Sequence, residues 1–209
     1  MNMNAKAGPR PFKLVLLGDG RVGKTSLVLR YVDDVFSDSQ TATVQASYLT
    51  KRLNINGVVV TLSIWDTAGQ ERFHALGPIY YRDADAALLV YDIMDKDSFT
   101  RVRNWVKELR QMASKDIILA IAANKSDLVR SQKIDLQEAE RYAASIGAKH
   151  FVTSAKLNTG IEQVFLDITT RALEKRKSSM EEFSSIQKRK GMVIVDEQPE
   201  SPPQSKCCS

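Results

Sequence analysis

The chain has 209 residues, 43% hydrophobic and 26% charged, the composition of an ordinary globular domain with tails that can build a core without disulfides or a structural metal. Its formal charge of +5 does not point to nucleic acid, because no basic stripe interleaved with aromatics runs through the chain. Six basic residues (Lys175, Arg176, Lys177, Lys188, Arg189, Lys190) face only Glu181 and Glu182, leaving +4 in one short segment; this suits an anionic membrane surface or a solvated helix end. No apolar run reaches the roughly 18 residues that cross a bilayer. The stretch "MNMNAKAGPRP" has neither a signal-peptide core nor a glycine at position 2 for myristoylation. The two cysteines, Cys207 and Cys208, are adjacent and cannot staple a fold, so a reducing compartment is expected.

In chain order, "FKLVLLG" reads as a buried strand and "KTSLVLRYV" as a helix with one apolar face. "SYLTKRLNI" and "VVVTLSIWD" are strands joined at Asn56-Gly57, a hairpin signal that predicts an antiparallel pair. "AALLVYD" is apolar throughout, as in a strand covered on both faces. "SFTRVRNWVKELRQMA" is an amphipathic helix with Ser98 as its expected N-cap. "IILAIAANK" is a strand, "DLQEAERYAASIG" a helix ending at Gly147, "KHFVTS" a strand and "GIEQVFLDITTRALEKRK" the last helix. The alternation predicts an α/β fold: a six-stranded mixed sheet with one antiparallel strand, flanked by helices. Residues 1–11 read as a flexible arm, 12–177 as the folded domain, and 178–209, ending in "SPPQSKCCS", as a disordered tail.

Three motifs fall at strand ends. "GDGRVGKT" (Gly18, Asp19, Gly20, Arg21, Val22, Gly23, Lys24, Thr25), continuing into Ser26, has the P-loop spacing between a strand and a helix. Its glycines let backbone N–H groups close on phosphate oxygens, and the helix start adds its positive dipole end. Lys24 supplies a charge to the β- and γ-phosphates, and Thr25 a hydroxyl to Mg²⁺. "WDTAGQE" offers Asp66 as a carboxylate for Mg²⁺, Gly69 for close approach to a γ-phosphate, and Gln70 to orient a water. "NKSD" supplies Asp127, which accepts from guanine N1–H and N2–H₂; adenine has neither donor. Asn124 either ligates the base or braces the P-loop, and the Lys125 stem covers the ring. Ser154, Ala155 and Lys156 of "TSAK" offer a backbone N–H to guanine O6. His74 and His150 are lone, and no Cys/His cluster suggests zinc.

With these motifs in this order the chain resembles the Ras superfamily of small GTPases over about residues 12–175. "WDTAGQERF", "YYRDA" and the paired terminal cysteines are similar to the Rab family, and "ATVQASYLTKRLNI" with "FHALGPIYYRDADAALLVYDI" to its endosomal members. The resemblance implies a P-loop G domain acting as a GTP/GDP switch with Mg²⁺. Gln70, Lys24 and Thr43 would be catalytic, Thr43 would reach Mg²⁺ and γ-phosphate, and Phe36 would pack against the base. Tyr48, Trp65 and Tyr80 would form the triad that effectors read; without the resemblance they are ordinary core aromatics. The resemblance also implies an exchange factor, a GAP, an escort protein with its geranylgeranyl transferase, and a dissociation inhibitor. Cys207 and Cys208 would each carry a geranylgeranyl group, placing the protein on the cytoplasmic face of endosomal membranes. Slow intrinsic hydrolysis is expected, because no arginine lies just before Thr43. Gln45 and Ala46, Gly20 and Arg21 depart from common Rab patterns. The rival readings are a GTP-locked scaffold, opposed by Gln70 and Asp66, and an ATPase or small-molecule kinase, opposed by Asp127.

Overall fold

A computed structural model describes residues 10–68 and 77–190. The chain divides into two units, residues 1–173 and 174–209. Among the described residues the first contains six strands: β1 (Phe12–Leu17), β2 (Ser47–Ile55), β3 (Val58–Asp66), β4 (Ala86–Asp92), β5 (Ile118–Asn124) and β6 (Lys149–Val152). They form one sheet in the order β2-β3-β1-β4-β5-β6. β2 and β3 pair antiparallel; the remaining pairings are parallel. The expected mixed sheet is therefore present. The hairpin turns at Asn56 (φ 51°) and Gly57 (φ 82°), and the Gly57 N–H donates to Asn54 Oδ1 at 2.9 Å. Two successive left-handed residues match the twist of the flanking strands, which is why this dipeptide closes the ribbon.

Side chains alternate across the central strands, so each face builds its own core. On one side Leu14, Leu16, Leu88, Val90, Ala120 and Ala122 meet α1 (Lys24–Asp33) and the part of α5 (Ile161–Lys190) that lies within this unit. There Tyr31 and Phe165 stack with ring centroids 3.9 Å apart. On the other side Val15, Leu17, Leu89, Tyr91, Ile121 and Ala123 meet α3 (Lys96–Met112) and α4 (Leu136–Ser145). A short α2 (Gly77–Tyr81) adds Tyr81 to this second core.

Two local expectations are corrected. α3 begins one turn earlier than expected: Asp95 is the N-cap, accepting from Asp97 N–H at 3.0 Å. Ser98 faces the core instead, accepting from Asp92 N–H at 3.1 Å and donating to the Asp95 carbonyl at 2.7 Å. Asp and Ser three residues apart are both good caps; the residue that faces inward loses the choice. The expected end of the last helix at Lys177 is also not a break, because α5 continues to Lys190. Residues 178–190 contain no Gly or Pro, and Glu, Met, Gln and Lys propagate a helix without an apolar stripe. In this second unit Ser178 and Ser179 donate back to the carbonyls of Glu174 and Lys175.

Gly160 (φ 70°) precedes α5, and a Cβ there would lie 2.1 Å from the Val152 carbonyl oxygen. At Gly57 a Cβ meets nothing within 4 Å. Gly160→Ala is therefore expected to cost about 3 kcal/mol or more, through clash plus strain, and Gly57→Ala about 1 kcal/mol through strain alone. Urea unfolding of the two variants checks the difference.

Candidate functional site

Parallel strands β1, β4 and β5 end on one edge of the sheet, and the loops that leave them enclose a cavity of about 910 Å³. At one end lies the P-loop. Gly18 (φ 145°) runs so close to β4 that a Cβ would be 2.2 Å from the Val90 oxygen, and Gly23 (φ 93°) would place one 2.5 Å from Asn124 Nδ2. These two glycines are required by backbone sign and close approach together. Lys24 heads α1 and curls back beneath the loop, its Nζ donating to the Gly18 and Asp19 carbonyls at 2.8 and 2.9 Å. Burial pulls its pKa down to about 8, against the opposing charges of Asp66 and Asp19.

Below the loop, three oxygen side chains from three segments converge. Thr25 Oγ1 donates to Asp66 Oδ2 at 2.6 Å and lies 2.6 Å from Thr43 Oγ1. Asp66, at the end of β3, is fully buried, and that burial raises its pKa despite the Thr25 hydrogen bond and the charge of Lys24. Its Oδ1 has no hydrogen-bond partner among the described residues. A buried carboxylate oxygen left without a partner calls for a cation or a water. Hydroxyl and carboxylate oxygens are the donors a hard divalent ion takes, so the residues present fit Mg²⁺.

The far end of the cavity is built by the segments after β5 and β6. Asn124 Nδ2 donates to the Val22 carbonyl at 2.8 Å, so of the two roles open to it in the sequence, bracing the P-loop is the one seen. Lys125 is left-handed (φ 64°), with Nζ 2.7 Å from Asp92 Oδ2. Asp127 Oδ1 accepts from Ser154 Oγ at 2.5 Å, and Ser154 Oγ in turn accepts from Leu157 N–H at 3.1 Å. Ser154 is thus a buried brace for the carboxylate, while Ala155 and Lys156 line the cavity. Phe36 lines it from the loop after α1, packed on the first core.

A sequence profile described as the Ras family matches residues 13–174. This chain belongs to the Ras family. Its relatives include the mouse protein named Ras-related protein Rab-21, 54% identical over 203 residues that cover 95% of this chain and 91% of the relative. The human protein of that name is 54% identical over 204 residues, covering 95% of this chain and 91% of the relative. The Dictyostelium discoideum protein of the same name is 56% identical over 164 residues, covering 78% of this chain and 77% of the relative. The chain is a Rab-type small GTPase that binds and hydrolyses guanine nucleotide.

Of the residues expected in this GTPase's nucleotide site, Asp19, Gly20, Arg21, Gly23, Lys24, Thr25, Ser26, Phe36, Thr43, Asn124, Lys125, Asp127, Ala155 and Lys156 line one cavity. Gly18, Val22, Asp66 and Ser154 are buried and do not line it. Gly69, Gln70, His74, Cys207 and Cys208 lie outside the described residues. Tyr48, Trp65 and Tyr80 form a contiguous aromatic run: Tyr48 meets Trp65 edge-on at 5.3 Å, and Trp65 lies 6.3 Å from Tyr80. Sequence reasoning missed Arg101, whose Nε lies 2.8 Å from Asp19 Oδ2, and Asp38, which meets Lys156 Nζ at 3.0 Å. Neither belongs to a motif; both are placed by elements distant in sequence.

Asp127→Asn keeps an oxygen for Ser154 but replaces by a donor one of the two oxygens expected to accept from guanine. GTP affinity is expected to fall about 10³-fold or more while XTP affinity rises. Nucleotide competition measurements with the two triphosphates check both directions.

Proposed function

We propose that the cavity binds GTP with its phosphates on the P-loop and its base between Phe36, Lys125 and Asp127. The observation that carries this reading is that the P-loop with Lys24, the hydroxyls of Thr25 and Thr43, and the Asp127 carboxylate held by Ser154 come together around one cavity. The P-loop N–H groups and Lys24 hold the β- and γ-phosphates. Thr25, Thr43 and Asp66 would hold Mg²⁺, which when bound supplies charge neutralisation to the phosphates. Thr43 belongs to the loop between α1 and β2, so its engagement couples that loop to the γ-phosphate. Gly69 gives the γ-phosphate a backbone N–H, and Gln70 orients the attacking water. Ordering of residues 36–47 then depends on the γ-phosphate, and hydrolysis releases them. The reading is tested by denaturing the purified protein and identifying the released nucleotide by chromatography; an adenine nucleotide, or none, would count against it.

The same reading gives the switch its partners. An exchange factor and a GAP set its nucleotide state, and effectors read Tyr48, Trp65 and Tyr80 in the GTP form. A Rab GAP, by family resemblance, brings both an arginine and a glutamine, so Gln70 matters most for unassisted turnover. An escort protein presents Cys207 and Cys208 to a geranylgeranyl transferase, and a dissociation inhibitor carries a cytosolic pool. Cys207 and Cys208 are adjacent and offer two thiols for lipid. One lipid gives marginal attachment and two give stable anchoring. The site of action is the cytoplasmic face of endosomal membranes, in vesicle trafficking.

Thr25→Asn removes the hydroxyl most needed when a γ-phosphate is present. The GTP affinity is expected to fall about 10-fold further than the GDP affinity, measured by displacement of a fluorescent nucleotide. Replacing Cys207 and Cys208 together by serine is expected to leave nucleotide binding unchanged and move most of the protein to the cytosolic fraction, followed by fractionation of expressing cells.

A further inference from the structure

Five basic residues line the nucleotide cavity: Arg21, Lys24, Arg101, Lys125 and Lys156. Four are already engaged by the chain. Lys24 donates to two P-loop carbonyls, Arg101 pairs with Asp19 at 2.8 Å, Lys125 with Asp92 at 2.7 Å and Lys156 with Asp38 at 3.0 Å. Arg21 is the fifth. It is exposed, and among the described residues it makes no hydrogen bond, ion pair or ring contact. The nearest acid in its own loop, Asp19, is committed to Arg101 and to the Gly20 N–H at 2.9 Å.

The backbone at Arg21 is costly. Its φ of 66° is left-handed, a region that glycine enters freely and a long side chain does not. The next residue holds it there: Val22 is buried in the core, and its carbonyl is fixed by Asn124. A guanidinium is thus displayed on a rigid, strained loop beside the phosphate donors, and the fold itself makes no use of it. Strain of this kind gathers at working sites. The facing wall, Ser37, Asp38, Gln40, Thr41, Ala42 and Thr43, carries no arginine.

We propose that Arg21 is a catalytic residue that contacts the γ-phosphoryl group of GTP and stabilises its transfer to water; the inference rests on the cavity being the GTP site. In the step it assists, the water oxygen forms a bond to the γ-phosphorus and the bond to the β–γ bridging oxygen breaks. The electron pair of that bond leaves with GDP, and the water proton ends on inorganic phosphate. Negative charge shifts toward the bridging oxygen as that bond loosens, and a fixed guanidinium lowers the barrier by meeting the charge with little reorganisation. Arg21 would give the chain, in cis and at a lesser level, what a GAP arginine gives in trans.

The test is single-turnover hydrolysis by purified full-length protein preloaded with GTP, without any GAP, for the parent, Arg21→Ala, Arg21→Lys and Arg21→Gly. The Ala and Gly variants are expected to hydrolyse about 10- to 100-fold more slowly, with GDP affinity within about 3-fold of the parent because the γ-phosphoryl contact is absent there. Lysine should restore only part of the rate, since a point charge lacks the planar fork. The Gly variant relieves the left-handed strain, so its melting temperature should equal or exceed the parent's, which separates lost chemistry from lost folding. The parent with GDP should also trap tetrafluoroaluminate unaided, and the Ala variant should not. Unchanged rates in correctly folded Ala and Gly variants would overturn the proposal. So would equal losses of GTP and GDP affinity with an unchanged rate, which would make Arg21 a uniform phosphate binder. A parent that releases no guanine nucleotide on denaturation would overturn the cavity assignment and the proposal with it, and the chromatogram tells that failure from the others.

Discussion

One hydrogen bond joins the two halves of the nucleotide site: Asn124 Nδ2 to the Val22 carbonyl, 2.8 Å. Asn124 closes β5 and leads into Lys125 and Asp127; Val22 lies in the loop that closes β1. The parallel order β1-β4-β5 places these strand ends near one another with β4 between them, and the amide spans the gap. The bond is buried, where a lost partner costs about 1–3 kcal/mol. It also demands Gly23, since any Cβ there would meet the amide nitrogen at 2.5 Å. The P-loop and the segment that carries Asp127 are therefore parts of one frame.

Charge within that frame is handled by assignment to partners. Asp66 and Lys24 are both buried, and burial works against the charge of each. They persist because each has partners: the lysine two carbonyls, the carboxylate one hydroxyl and the attraction of the lysine. Around the rim, Arg101, Lys125 and Lys156 are tied to carboxylates from other segments. These ion pairs are partly exposed and add little stability individually. Their effect is positional, since they fix where the walls of the cavity stand.

What could be read from the sequence was what local chemistry decides. Asn56-Gly57 needs no distant partner to turn, and the glycine spacing of the P-loop follows from backbone sign and close approach. Asp66 and Asn124 were legible because each ends a strand whose apolar pattern announces it. Ser98 misled because burial, which a single segment does not display, outranked its capping ability. α2 is short and rests on what surrounds Tyr81, so no period marks it. The Lys156–Asp38 contact joins residues 118 apart, and Arg101 finds Asp19 only once α3 lies beside the P-loop. Such pairs are products of the topology, and no spacing along the chain encodes them.

The sheet has two outer strands, and they guard against misassembly in different ways. β6 is four residues long, too short to template another chain. β2 is nine residues long and could do so, yet it carries Lys51, Arg52 and Asn54 along its length. Charge and amide groups on an open strand penalise stacking of a second copy in register. The protein can therefore be crowded at high local density without its sheet growing from one molecule into the next. An edge strand of this length is thereby kept from becoming the seed of a fibre.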